Sequence, residues 1–109
     1  KINTQKVLSF KQHNEHHQVK LNNILYVYRD NATEKTVVVT IEDEYAIRET
    51  LSSIANKLDF RFVQTHRACF VNMDKIESVD FKNNIIYLNN DSSIDYLSRN
   101  YKKKLREIL

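Results

Sequence analysis

The 109-residue chain contains no glycine, no proline and a single cysteine. Without glycine there is no loop in which bare backbone amides cradle phosphates, so nucleotide enzymes of the Walker or dinucleotide-binding kind are excluded. One cysteine, Cys69, cannot build an internal disulfide framework and fits a reducing compartment. No apolar run approaches the ~20 residues that span a bilayer, and no signal-peptide pattern is present. The expected setting is the cytoplasm, with no membrane partner. Because the chain starts at Lys1 and its only methionine is Met73, it reads as a fragment of a longer protein.

What is present compensates for what is missing. Twelve asparagines, several paired as Asn22-Asn23, Asn83-Asn84 and Asn89-Asn90, supply turns in place of glycine, since asparagine tolerates the left-handed backbone region better than most residues. The length fits one domain, 1–109, burying about 65% of the surface its unfolded chain exposes. Net charge is +3, distributed unevenly. Residues 1–98 carry 12 Lys/Arg against 13 Asp/Glu, whereas residues 99–109 carry five against one. A basic end on a nearly neutral body points to an anionic partner, nucleic acid ahead of a membrane surface. The competing explanation is that Lys102, Lys103, Lys104 and Arg106 form the solvated face of a last helix and favour its C-terminal dipole.

Period and punctuation predict mainly β structure with short helices. Strands are expected over Lys6–Lys11 and Gln18–Leu21 around a turn at His13–His16, and over Ile24–Arg29 and Thr36–Ile41 around a six-residue polar loop. The stretch Tyr45–Leu58 divides at Thr50, which caps a helix burying Leu51, Ile54, Ala55 and Leu58. Phe60–Asn72 alternates as a strand broken by His66-Arg67, and Asn72–Ile76 forms a helical turn. Strands over Ser78–Lys82, Ile85–Asn89 and Ser93–Leu97 follow. Ser98 then caps a helix with Tyr101, Leu105 and Ile108 on one face.

Few constellations carry chemistry. His13, His16 and His17 lie close in sequence, but their spacing lacks the two-on-one-face pattern of a helical metal site, and no cofactor is expected. Cys69 with His66 suggests a thiol nucleophile, yet in a continuous strand the two point to opposite faces. A buried structural thiol beside Phe70 is the favoured reading, and an enzyme is the weaker class. Three polar clusters remain at loops or element ends, where binding residues concentrate: Thr33 to Lys35, His66-Arg67, and Ser98 to Lys102. Arginine's planar fork suits guanine edges and phosphates, and imidazole donates or accepts. The plainer alternative at His66-Arg67 is a surface bend with a solvated arginine and a histidine that caps a backbone group.

The run His66-Arg67-Ala68-Cys69-Phe70-Val71-Asn72 resembles the His-Arg-Ser-Tyr-Leu-Val-Asn signature of LytTR DNA-binding domains. Ile24–Tyr28, the helix near Leu51–Leu58, Asp74-Lys75-Ile76 and Arg99 fall where that family has their counterparts, and the order of elements is most similar to the C-terminal domain of AgrA-like response regulators. The resemblance implies an elongated β-sheet fold whose loops enter successive major grooves of double-stranded DNA at direct repeats. It implies base-facing roles for Lys35, His66, Arg67 and Arg99, and phosphate contacts from Thr33, Ser98, Asn100 and Lys102. A receiver domain N-terminal to the fragment, and a dimer of the full-length protein on DNA, are implied as well. Ala68 in place of serine and Cys69 in place of an aromatic depart from the signature and imply a different sequence preference. A protein or ligand interaction module using the same basic loops is the alternative.

Overall fold

The computed structural model describes residues 6–109, so the first five residues of the expected 1–109 domain lie outside it. Ten strands and two helices follow in order: β1 (Val7–Gln12), β2 (Glu15–Lys20), β3 (Ile24–Asp30), β4 (Lys35–Thr40), β5 (Glu44–Ile47), α1 (Leu51–Ala55), β6 (Phe62–His66), β7 (Cys69–Asn72), β8 (Ile76–Asp80), β9 (Ile85–Leu88), β10 (Ser93–Ile94) and α2 (Arg99–Ile108). Single 3-10 turns at Leu21–Asn23 and Met73–Lys75 lead into β3 and β8.

A five-stranded antiparallel sheet in the order β5-β4-β3-β7-β6 forms the middle layer. Both its faces are covered. On one, Val27, Val38 and Ile47 pack with Leu8, Phe10 and Leu21 of the β1–β2 region and with Ile54 of α1. On the other, Leu25, Val37, Val39, Val63, Cys69 and Val71 meet Ile86, Leu88 and Ile94 of the β8–β9–β10 sheet and Leu105 of α2. This explains why β4 reads Thr-Val-Val-Val without alternation, because a strand buried on two faces needs apolar residues at every position. In β3, a bulge between Ile24 and Tyr26 lets the consecutive residues Leu25 and Tyr26 serve one face, after which Val27 returns to the other. The body is a plate of 42 × 41 × 24 Å.

Most expected elements are present, with shifted bounds. The expected turn at His13–His16 contracts to His13-Asn14, and β2 begins at Glu15. Both turn residues have positive φ, 53° and 67°, as a two-residue hairpin of the favoured twist requires. Thr50 caps α1 as expected, its hydroxyl accepting from Ser53 N at 3.1 Å, but the helix ends at Ala55 and Leu58 packs from beyond it. Phe60 is not a strand residue: it is 91% exposed and β6 starts at Phe62. The Asp59 carboxylate, accepting from Arg61 N and Nε, bends the chain there. The strand expected over Ser93–Leu97 shrinks to Ser93–Ile94, because Ser98 N donates to Thr65 O and draws the chain away from β9.

Candidate nucleic-acid interface

The stretch that alternated up to His66-Arg67 is a hairpin. β6 and β7 pair from Phe62–Asn72 to His66–Cys69, with a bulge between Gln64 and His66 and a turn at Arg67-Ala68. His66 holds that turn: Ala68 N donates to its Nδ1 at 3.0 Å. An accepting Nδ1 carries no proton, so Nε2 carries the ring's N–H and is the atom with a donor to spare. The imidazole packs edge-on against Tyr96 at 5.4 Å, Tyr96 lies 5.3 Å from Tyr28, and Tyr28 lies 5.8 Å from Tyr26. Burial raises the hydroxyl pKa of all three tyrosines, that of Tyr26 to about 12, so the row stays neutral.

Two backbone hydrogen bonds draw the polar clusters together. Arg29 N donates to Ala68 O at 2.9 Å, seating the hairpin turn beside the β3–β4 loop. Ser98 N donates to Thr65 O at 2.9 Å, seating the start of α2 on the opposite flank. The β3–β4 loop, the β6–β7 turn and the N-terminus of α2 therefore lie side by side at one edge of the molecule.

The eight residues expected at the interface differ in what they have left to offer. Arg67 and Arg99 are exposed and form no ion pair among the described residues. Asn100 is exposed, and Ser98 occupies the N-cap position without a side-chain cap bond, leaving its hydroxyl uncommitted. Thr33 is spent differently, since its hydroxyl donates to Asp30 Oδ2 at 3.0 Å and stiffens its own loop. Lys102 Nζ donates to Phe81 O at 2.9 Å, and Arg106 stacks on the Phe81 ring at 4.5 Å. Part of the basic C-terminal run thus clamps the β8–β9 turn. Lys35, half-buried at the start of β4, lines a cleft with Lys11, His13 and Arg48.

Cys69 stands directly across the hairpin from His66, not on the opposite face of a continuous strand. It is fully buried, and burial lifts its thiol to about 12, opposed by the neighbouring Thr65 hydroxyl. That hydroxyl lies in no well-formed hydrogen bond. A thiol held protonated in this way is a poor nucleophile. His17 is half-buried against Phe10 and Tyr45 at 5.5 and 5.1 Å, the third ring of a triangular aromatic cluster. Sequence reasoning missed Arg29, Tyr28 and Tyr96, whose places beside the hairpin depend on cross-strand register.

Among curated proteins no sequence matches the chain. A solved structure, the LytTr DNA-binding domain of a Bacillus cereus protein described as a methyl-accepting/DNA response regulator, superposes with a TM-score of 0.78 at 20% identity, covering 94% of this chain and 95% of that one. At that identity the likeness speaks to the fold. The model of the LytTr DNA-binding domain matches residues 14–109. That match takes in every element from β2 to α2, and the chain therefore belongs to the LytTr DNA-binding domain family.

Proposed function

We propose that this chain is the DNA-binding output domain of a bacterial two-component transcriptional regulator, acting in the cytoplasm without catalysis and reading successive major grooves of direct repeats as a dimer of the full-length protein. The observation that carries the reading is the edge itself, where the unpaired guanidiniums of Arg67 and Arg99 sit on two elements joined by the Ser98–Thr65 backbone bond. A guanidinium presents two parallel donors that match guanine O6 and N7. Arg67 and Arg99 are the principal readers. His66 sets the Arg67 turn through Nδ1 and offers its Nε2–H to a base acceptor, while Lys35 reaches from the neighbouring strand. Ser98, Asn100 and the first amides of α2 contact phosphates, an arrangement favoured by the helix dipole. Thr33 and Lys102 contribute less, since each already serves a partner within the fold.

Selection of bound duplexes from a random pool tests this directly. Spaced direct repeats are the expected product. On the selected sequence, Arg67→Ala or Arg99→Ala should each cost about 1 to 3 kcal/mol and relax preference at one base position. Equal losses on selected and scrambled duplexes would show that the arginines hold phosphates only. Recovery of no motif, together with binding to acidic proteins, would favour the interaction-module alternative.

A further inference from the structure

We propose that the tip of the β1–β2 hairpin and the end of β5 form a second anion-binding patch, which grips the DNA sugar–phosphate backbone outside the segment facing Arg67 and Arg99. The inference rests on the DNA-binding reading and extends the protein's footprint on the duplex. A cleft of about 450 Å³ opens between these elements, lined by Lys11, Gln12, His13, Lys35 and Arg48. Lys11, His13 and Arg48 are exposed, and none of the lining cations forms an ion pair among the described residues. The acidic residue in the lining, Glu49, is already engaged: its Oε1 accepts from Lys57 Nζ at 2.9 Å and from Ser53 Oγ at 3.0 Å. What faces solvent there is positive charge without a partner.

The patch is also held in place. Gln12 Nε2 donates to Ala46 O at 3.1 Å, tying the hairpin tip to β5. The pairing of Ile47 with Thr36, and of Lys35 with Asp30, sets Arg48 and Lys35 at the same end of the sheet as the β3–β4 loop. Along this edge the order is hairpin tip, ends of β5 and β4, β3–β4 loop, β6–β7 turn and start of α2. Strands sit about 4.8 Å apart, so β5 lies roughly 14 to 19 Å from β7 and β6. At about 3.4 Å per base pair, that is about 4 to 6 base pairs along a duplex. Such a distance carries the patch past the bases that Arg67 reads and onto the flanking backbone. The exposed Lys11 ammonium, on a flexible stem, acts as a point charge without a fixed fork and suits a phosphate. Lys11 and His13 precede the residues matched by the family model, so the patch uses chain outside that match.

The test compares the protein with a Lys11→Ala/Arg48→Ala variant on the selected duplex, and on one shortened by about 6 base pairs on either flank in turn. Both side chains are exposed and unpaired, so urea unfolding should be unchanged. On the long duplex the variant should bind about 10-fold more weakly near 0.1 M salt, with a log–log salt slope shallower by about 2, and keep its sequence preference. On the duplex lacking the correct flank, the two proteins should bind alike. An unchanged slope on the long duplex, or the same loss on every shortened duplex, overturns the patch while leaving the arginine reading intact. Failure of the unmodified protein to bind any duplex overturns both.

Discussion

At Cys69 the sulfur is enclosed by both layers of its core, and the energetic consequence is a proton the folded chain will not release. Burial lifts the thiol from an ordinary value of 9.0 to about 12. The folded pKa is thus the higher one, so the thiol's contribution is intact below pH 9 and is lost as pH rises between the two values, where the unfolded chain sheds a proton that the folded chain retains. The slope is about 1.4 kcal/mol per pH unit. Tyr26, raised in the same way, adds to the loss above pH 10. Cys69→Val should therefore flatten the fall in stability between pH 9 and 10, measured by urea unfolding at half-unit steps. A limb equally steep in the variant would assign the alkaline sensitivity elsewhere. Asn72 shows why the last residue of the signature is structural. Fully buried, it donates to Ile24 O at 2.9 Å and accepts from Asp74 N at 2.9 Å, joining three elements through one side chain.

Two hairpin loops share one construction, and their difference exposes a strained position. In each, an aspartate at the end of the first strand accepts from backbone amides ahead of it: Asp30 from Ala32 N, and Asp80 from Lys82 N and Asn83 N. Each also receives a side-chain donor three residues on, Thr33 in one and Asn83 in the other. The fifth residue takes positive φ in both, 60° at Asn84 but 59° at Glu34, where a longer side chain has no local way to offset the cost. Glu34→Asn should stabilise the domain by about 0.5 to 1 kcal/mol in urea unfolding, and by removing a negative charge from the edge it should also tighten duplex binding at low salt. Loss of stability on this change would mean that Glu34 has a partner worth more than its strain. The cap at Thr50 and the β3–β4 pair were legible in the sequence because each is a local preference, whereas asparagine takes the left-handed position only at Asn14 and Asn84, and His13, Glu34 and Asp91 take the others among the described residues. Phe60 was misread because the Asp59–Arg61 hydrogen bonds override alternation. The exposure of Arg67 and Arg99 was legible too, since each sits at a turn or an element end. The commitment of Lys102 to a carbonyl 21 residues away was not, since it depends on how α2 docks.

Charge and packing divide the whole molecule along different lines. Lys35, Arg48, Arg67 and Arg99 lie at the end of the sheet marked by the β3–β4 loop, whereas Glu42 and Asp43 of the β4–β5 turn and Glu44 at the start of β5 lie at the opposite end. A polyanion would be attracted to the first end and repelled from the second. Packing instead separates the two faces of the five-stranded sheet, and only one of them supports α2. Leu105 anchors α2 in that core, and Ile54 anchors α1 in the other, both fully buried. Leu105→Ala and Ile54→Ala should each cost about 2 to 5 kcal/mol by the loss of buried methyl groups and the cavity left behind. Because the two cores share one sheet, both variants should unfold in a single transition. Their effects on DNA should differ. Loosening α2 frees the segment that carries Ser98 and Arg99, so Leu105→Ala should weaken specific binding even where the protein is fully folded, whereas Ile54→Ala, in the core on the other face of the sheet, leaves α2 seated and should bind within about 2-fold of the unmodified protein. Anisotropy titrations at 10 °C, with folding checked by circular dichroism in the same samples, separate the outcomes. Equal weakening in both variants would mean that DNA affinity follows overall stability rather than the seating of α2.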